Sequence, residues 1–407
     1  MSNTEHFTRH IQAIIDIGAS KITCAIGSYD PMHKKLVIRG AQQTASRGLH
    51  KGQVVDADAL ESALLRCVSQ AEQEYGEPIK SVAINVANVE LISEWVQVQQ
   101  VLSGRVVDET HLVRLYDIEL TLPAERDFDL LYAQELALSI DMQKINGSPI
   151  GLSGQMLAGV FHVMTAKRDL LKSLRTVVRR CHLKVEGLYF TGMASGLATA
   201  SYDERMQGVT TIDIGADQTC VAMFHKGKFV FGSVIPIGGN HITRDIAQAF
   251  GMRFESAERI KNLYGSLVVS PADRTEKIYP TGGEVGAKSI TKADLIEVIY
   301  YRAQEIFMMV RQKVQGQRLE STAGCRYVIT GGSCQLPGMR ELGNRLLEKP
   351  VRVGRPLAVS GAVSLSQSPA SATAVGLLYA ALLDSKKGAH QEKKWHKRIG
   401  AWIKENL

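Results

Sequence analysis

At 407 residues, 45% of them hydrophobic and 22% charged, the chain has the composition of a soluble globular protein and the length for two or more domains with ample core. No apolar run reaches the roughly 18 residues of a membrane-spanning helix, and no charged-then-apolar leader opens the sequence, so the expected location is cytoplasmic. The formal net charge is +7, but seven Lys or Arg and two Glu fall between Ser385 and Leu407; the basic character belongs to that tail, which argues against a general nucleic-acid surface.

In chain order, residues 1–10 are polar and expected to be disordered. The apolar run Ala13-Ile14-Ile15 leads into Asp16-Ile17-Gly18-Ala19, and a second run, Ile22 to Ile26, follows. That pattern predicts strand, tight turn, strand. A helix is predicted over Ala57 to Tyr75. The stretch from about 82 to 168 is strand-rich, with strands at Val96 to Val101 and Gly159 to Val163, and a helix follows at Asp169 to Cys181. Asp-Ile-Gly-Ala then recurs at Asp213 to Ala216, again between apolar runs (Val209 to Ile212, Cys220 to Phe224). A hairpin through Lys226-Gly227-Lys228 reaches Val234, and Gly238-Gly239-Asn240 precedes a helix near His241. Residues 266–290 read as a surface loop. Thr291 with Asp294 forms a near capping box for a helix to about Val314. Strand Tyr327 to Thr330 enters Gly331-Gly332-Ser333. Helices from about Met339 and from Ser371 to Leu383 close the fold, and Ser385 to Gln391 reads as a linker. The six cysteines (24, 67, 181, 220, 325, 334) form no metal-type pair and read as small core residues in a reducing compartment.

The repeated tetrapeptide carries the chemistry. Gly18 and Gly215 give turns without a Cβ, so backbone N–H groups can approach an anion closely. Asp at the end of the preceding strand suits a hydrated Mg²⁺. Two such turns facing each other would clamp a nucleoside triphosphate between similar domains. One copy is an ordinary hairpin signal; two copies about one domain apart are not. Gly331-Gly332-Ser333 reads either as a simple strand-to-helix turn or as a flat surface for adenine or ribose, and beside two phosphate turns the second is the better reading. Gly238-Gly239-Asn240 reads as a plain N-cap region or as a helix N-terminus near the nucleotide. Glu258 and Lys261, one turn apart, read as a solvated pair or as contacts to base or ribose.

In this order, DIGASKI (16–22), DIGADQT (213–219), PIGGNHITRDIA (236–247), SAERIK (256–261) and VITGGSCQLPGM (328–339) resemble the actin, Hsp70 and sugar-kinase superfamily and, within it, the bacterial cell-division family FtsA. DIELTL (117–122) and INGSPIGLSGQMLAGVFHVMTA (145–166) resemble the FtsA subdomain that replaces actin's small subdomain in a different position. The resemblance covers about 11–407. It implies an α/β fold of actin-like duplicated domains around a nucleotide cleft, with an inserted FtsA-type α+β subdomain and a C-terminal amphipathic helix. The expected divisions are 11–81 with 169–206, and 207–248 with 325–384, as the two core halves. The insertion is 82–168, the smaller subdomain of the second half 249–324, the linker 385–391 and the membrane helix 392–407.

The resemblance also implies the site. Asp16 and Asp213 would hold Mg²⁺ through water. Gly18, Ser20, Lys21, Gly215 and Thr219 would surround the phosphates of ATP. Gly239, Glu258, Lys261, Gly331, Gly332 and Ser333 would bound ribose and base. Hydrolysis is expected to be slow or absent, and no catalytic base is identifiable. The second turn departs from the family's usual glycines and Thr, having Ala216-Asp217-Gln218. Asp217 places a carboxylate near the phosphates, which Mg²⁺ or Lys21 must offset. INVANVEL (84–91) also lacks the usual Ser-Gly-x-His.

On a helical wheel of Lys393 to Leu407, Trp395, Ile399, Trp402, Ile403 and Leu407 share one arc, and Lys393, Lys394, Lys397, Arg398 and Lys404 lie outside it. Such a helix is about 22 Å long, too short to span a bilayer. It suits the boundary of an anionic membrane or packs on its own domain or a partner; linker and charge favour the membrane. FtsA proteins carry such a helix and polymerise into filaments. The implied partners are then a filament of its own kind, the cytoplasmic face of the inner membrane at the division site, the acidic C-terminal peptide of the tubulin-like FtsZ ring, and further division proteins. The peptide would dock on 249–324, where Arg302 in IEVIYYRAQEI (296–306) matches a family Arg; a solvated helix Arg is an equal reading. Two alternatives remain: a type IV pilus assembly protein of the PilM kind, which usually lacks the basic tail, and a sugar or acetate kinase, for which no catalytic Asp motif is found.

Overall fold

A computed structural model of the protein describes residues 11–117, 127–279, 289–317 and 325–388, with side chains to 384. The segment 1–10, most of the 117–122 motif, part of the 266–290 loop and the basic tail lie outside them. The first half opens with β1 (Ile11–Ile17), β2 (Lys21–Asp30) and β3 (Lys35–Ala45). A short ribbon follows, β4 (Leu49–His50) with β5 (Gln53–Val54), then α1 (Ala57–Tyr75) and β6 (Ser81–Val86). Next come β7 (Ile92–Val101), α2 (Glu109–Leu115), β8 (Phe128–Ile140), β9 (Gln143–Ile145) and β10 (Met156–Lys167). α3 (Arg168–Arg180), β11 (Lys184–Phe190), α4 (Thr191–Thr199) and α5 (Tyr202–Gln207) complete this half.

The second half repeats the opening meander with β12 (Val209–Ile214), β13 (Thr219–His225) and β14 (Lys228–Ile235). α6 (Gly239–Phe250), α7 (Phe254–Tyr264), β15 (Lys277–Ile278), β16 (Ile290–Thr291), α8 (Lys292–Val314), β17 (Tyr327–Thr330), α9 (Met339–Leu347) and β18 (Val351–Val353) follow. β19 (Val359–Ser360), α10 (Val363–Ser366) and α11 (Ala372–Gly388) end it.

The duplication is exact to the register of the turns. The first sheet runs β11-β6-β1-β2-β3-β19 and the second β18-β17-β12-β13-β14. In each, an antiparallel meander adds two parallel strands on the side of its first strand. Asp16 pairs with Thr23 and Asp213 with Cys220, the same offset in both halves. Local chemistry sets several ends: α1 starts where Asp56 accepts from the Asp58 and Ala59 amides and stops at left-handed Gly76. Its buried side chains, Leu60, Ala63, Leu64, Cys67, Val68 and Ala71, follow helical spacing onto the first sheet. The Thr291–Asp294 box starts α8 as its sequence predicts.

Two expectations shift. β6 lies inside the span assigned to the insertion, yet pairs with β1 and β11 in the first core sheet; its apolar run is buried on both faces. The linker expected from Ser385 is helical as far as Gly388, since α11 continues unbroken. The insertion proper is the sheet β7-β10-β8-β9, with Leu112 and Leu115 of α2 buried in its own core. It is seated on β14. The Trp95 indole donates to the Val230 carbonyl (2.8 Å), and His162 Nδ1 donates to the Phe229 carbonyl (3.0 Å). Burial pushes His162 down to about 4, so a neutral ring spans this joint.

The halves exchange helices. α11, the last element, packs on β1, β2 and β6 of the first sheet, while α4 packs on β12 and β13 of the second, and the two helices pack on each other. Five described cysteines are buried and Cys325 is exposed, none in a disulfide. Among the described residues no helix is long and apolar enough to cross a membrane. Leu378 is fully buried between α11 and the first sheet. Leu378→Ala is expected to cost about 2–5 kcal/mol in urea unfolding; a loss under 1 kcal/mol would mean that α11 does not seal this sheet.

Candidate functional site

The two Asp-Ile-Gly-Ala turns close in the same way. The Gly18 amide donates to the Lys21 carbonyl (3.1 Å), and the Gly215 amide to the Gln218 carbonyl (3.0 Å). Because the sheets face each other through the exchanged helices, both turns line one cavity of about 490 Å³, within the range of small-ligand sites. Asp16, Gly18, Ser20, Lys21, Asp213, Gly215, Gly239, Glu258, Lys261, Gly331, Gly332 and Ser333 all border it. Thr219 does not. It is fully buried and its hydroxyl donates to the Ile237 carbonyl at 2.7 Å, so it fastens β13 to the strand end before α6.

Asp16 and Asp213 are each more than nine-tenths buried. Burial first, then the charge of Asp213, pushes the Asp16 carboxyl up to about 7, against the pull of Lys21. Burial also raises Asp213, resisted by hydrogen bonds from Thr373 (2.8 Å) and Ser195 and by Lys21. Lys21 is held below its usual range by its own burial. One lysine therefore stands against two like charges, and the pair is short of positive charge. Among the described residues no group of three or more His, Cys, Asp or Glu could hold a metal. A cation here would take its remaining ligands from water and phosphate, which is the habit of Mg²⁺.

The surrounding groups are fixed. Asn85 accepts from the Ile17 amide (2.7 Å) and donates to Thr191 (3.1 Å), pinning the first turn to the start of α4. The first amides of α6 are spent on the second turn, Gly239 to the Gly215 carbonyl (2.9 Å) and Asn240 to the Ala216 carbonyl (2.7 Å). The helix start thus buttresses the turn rather than offering those donors to an anion. Gly331 has φ of +88°, and a Cβ there would lie 2.4 Å from Asp213 Oδ1; only glycine lets β17 end so close to that carboxylate.

Glu258 and Lys261 are not a solvated pair. Lys261 is 7% exposed and donates to Glu258 (2.6 Å), the Thr243 hydroxyl (2.7 Å) and the Gly239 carbonyl (3.2 Å). Burial works to raise Glu258, but the hydrogen bonds from Lys261 and Thr243 outweigh it and hold the carboxyl below its usual range. Asp217 also differs from expectation. It is 4% exposed and turns its oxygens to the Lys51 amide (3.2 Å) and the Asn240 side chain (2.8 Å). Arg302 lies on α8 outside the cavity lining. It forms a fork with Asp245 of α6 (2.6 and 2.9 Å) and pairs with Glu305, so it is not a freely solvated arginine. Trp395, Lys397, Arg398, Ile399, Trp402 and Ile403 lie outside the described residues. Asn85, Thr191, Asn262 and Thr373 border the cavity unannounced; their only signal is a polar residue near the end of a strand or helix.

The family model described as "Cell division protein FtsA" matches residues 210–376, and one described as "Type IV pilus assembly protein PilM" matches residues 14–270. A cell division protein FtsA of Rhizobium meliloti (strain 1021) is 32% identical over 420 residues, covering 98% of this chain and 95% of that protein. Among solved structures, the PilM-PilN type IV pilus biogenesis complex superposes with a TM-score of 0.67 at 18% identity, covering 92% of this chain and 99% of that one. MreB5 of Spiroplasma citri bound to ADP gives 0.56 at 13% identity, covering 95% and 99%. The fold is therefore the actin-like one.

The Asp16 carboxyl ordinarily titrates at 3.8 and in the folded protein at about 7. The folded state then holds a proton that the unfolded chain has released. Without a cation, this contribution to stability is full below 3.8 and lost as the pH rises through about 7. Melting in EDTA from pH 5 to 8 is expected to show that decline in the native protein and a flatter profile in Asp16→Asn. Identical profiles would remove the carboxylate-pair argument.

Proposed function

The chain belongs to the FtsA family of cell division proteins, and from that membership we propose that it is an ATP-binding, actin-like protein that ties a division filament to the membrane. The observation that carries the nucleotide reading is the convergence of both Asp-Ile-Gly-Ala turns on one cavity. Asp16 and Asp213 hold Mg²⁺ through water, which supplies the charge that Lys21 alone does not. Gly18, Ser20, Lys21 and Gly215 receive the phosphates. Gly239, Glu258, Lys261, Gly331, Gly332 and Ser333 bound ribose and base. The ADP bound to the similar MreB5 fold supports a nucleotide here. Slow hydrolysis follows from how the acidic groups are committed: Asp16 and Asp213 to the cation, Glu258 to Lys261, Asp217 to Lys51 and Asn240. None is left as a general base.

The filament partner is the acidic C-terminal peptide of FtsZ, docking on the smaller subdomain beside α8. Tyr301 and Met308 are exposed on that helix. Arg302 already answers Asp245 and Glu305, so an incoming carboxylate must share its fork. The tail from Trp395 to Ile403 lies in the cytoplasmic face of the membrane and carries the protein, as a filament of its own copies, to the division site.

Calorimetry tests the nucleotide reading. Mg-ATP is expected to bind the intact protein, with affinity at least about tenfold lower for Asp16→Ala; no heat with the native protein would sink it. Arg302→Glu is expected to weaken an FtsZ tail peptide at least about tenfold, and unchanged affinity would remove Arg302 from that surface. The full chain is expected to sediment with anionic liposomes, and a chain ending at Gly388 to stay in the supernatant. A pilus assembly role is the second reading, favoured by the match over residues 14–270. Equal sedimentation of full and shortened chains would strengthen it.

A further inference from the structure

One contact joins the two halves at the mouth of the cleft, through residues that the nucleotide reading does not use. Ribbon β4–β5 belongs to the first half. Its tip, His50-Lys51-Gly52, reaches the second Asp-Ile-Gly-Ala turn. The Lys51 amide donates to Asp217 Oδ2 (3.2 Å), and the Lys51 carbonyl accepts from Gln218 Nε2 (3.1 Å) and from Asn88 Nδ2 (3.3 Å). Both backbone polar groups of one first-half residue, Lys51, are thus gripped by successive side chains of the second half. Asp217 is kept in place by Asn240 at 2.8 Å, His50 at 3.1 Å and Arg244 at 3.9 Å.

The tip is a two-residue hairpin turn between the paired His50 and Gln53. Lys51 has φ of +47° and Gly52 of +78°, both left-handed. A two-residue hairpin turn demands that backbone, which recurs at Lys226-Gly227. A Cβ on Gly52 would sit 1.7 Å from the Ala87 carbonyl, so the ribbon tip lies flush on the end of β6. Leu49, Gly52, Asp217 and Gln218 all border the cavity, so the grip forms part of its wall.

We propose that Asp217 and Gln218 are an interlobe clasp that holds the Leu49–Val54 ribbon shut over the cleft and sets the rate at which nucleotide leaves. The clasp acts through the Lys51 backbone, so Asp217 and Gln218 are positioning residues. The proposal rests on the nucleotide reading for its ligand but not for the clasp itself. It reverses the sign expected of a bare carboxylate beside phosphates. Repulsion predicts that removing Asp217 slows nucleotide release; a clasp predicts that removal speeds it.

The test uses the full chain, a fluorescent ATP analogue with Mg²⁺ in stopped flow, and amide hydrogen exchange of the 48–54 segment without nucleotide. In Asp217→Gly, and independently in Gln218→Ala, release is expected to quicken several-fold, and at least about tenfold in the double variant. Exchange in 48–54 is expected to rise in all three. Lys51→Ala keeps the backbone N–H and C=O of residue 51 and is expected to leave both readouts unchanged, which separates the clasp from any effect of the lysine charge. If Asp217→Gly does not fold, Gln218→Ala decides alone. Slower or unchanged release with faster exchange would overturn the gate. Unchanged exchange in the double variant would overturn the clasp. If the native protein binds no Mg-ATP, the nucleotide reading and the gate fail together, while exchange still reports whether the clasp exists.

Discussion

Two carboxylates of like charge, brought face to face by two copies of one turn and taken out of water, are what the rest of the structure is arranged around. Burying either alone is unfavourable; burial raises the proton affinity of both, and the charge of Asp213 raises that of Asp16 further. Thr373, Ser195 and Lys21 offset part of this, but not the second negative charge. The site is therefore left short of positive charge. Every neighbouring element serves to hold that site rigid: Asn85 pins the first turn, the first amides of α6 pin the second, and Gly331 lets β17 close in behind Asp213.

That arrangement needs the two halves to stay in register, and the exchanged helices supply it. α11 leaves the second half to bury Leu377 and Leu378 against the first sheet, while α4 packs on the second. Their starts, Thr373 and Thr191, reach the cavity. The same two helices thus join the lobes and present polar groups to the carboxylates. The insertion is anchored on β14 through Trp95 and a neutral, buried His162. A charged imidazole would carry an uncompensated proton into that joint, so burial keeps the ring neutral and the contact apolar apart from its hydrogen bonds.

Much of this was legible in the chain because the relevant physics is local. α1 could be placed over Ala57 to Tyr75, α8 from Thr291 and Asp294, and the meanders from apolar runs flanking Asp-Ile-Gly-Ala. Where reading failed, the deciding partner is distant in sequence. Nothing near Thr219 says that its hydroxyl will meet Ile237, and nothing near Lys261 says that Gly239 and Thr243 will bury it. Arg302 looks solvated until Asp245, on another helix, forks onto it. β6 was placed with the insertion because a short apolar strand does not reveal which sheet will bury it.

The sequence by itself determined the duplicated strand–turn–strand units, several helix ends and many, though not all, of the groups bordering the cleft, since periodicity, caps and glycine turns act within a few residues. The tertiary structure alone decided which oxygen meets which proton. Asp217 is the clearest case. By position it is a carboxylate set against phosphates. In the fold it turns to Asn240 of its own half and to the Lys51 amide of the other, because a buried carboxylate goes where its hydrogen bonds are satisfied, and the Lys51 amide is within reach only once the two halves have come together.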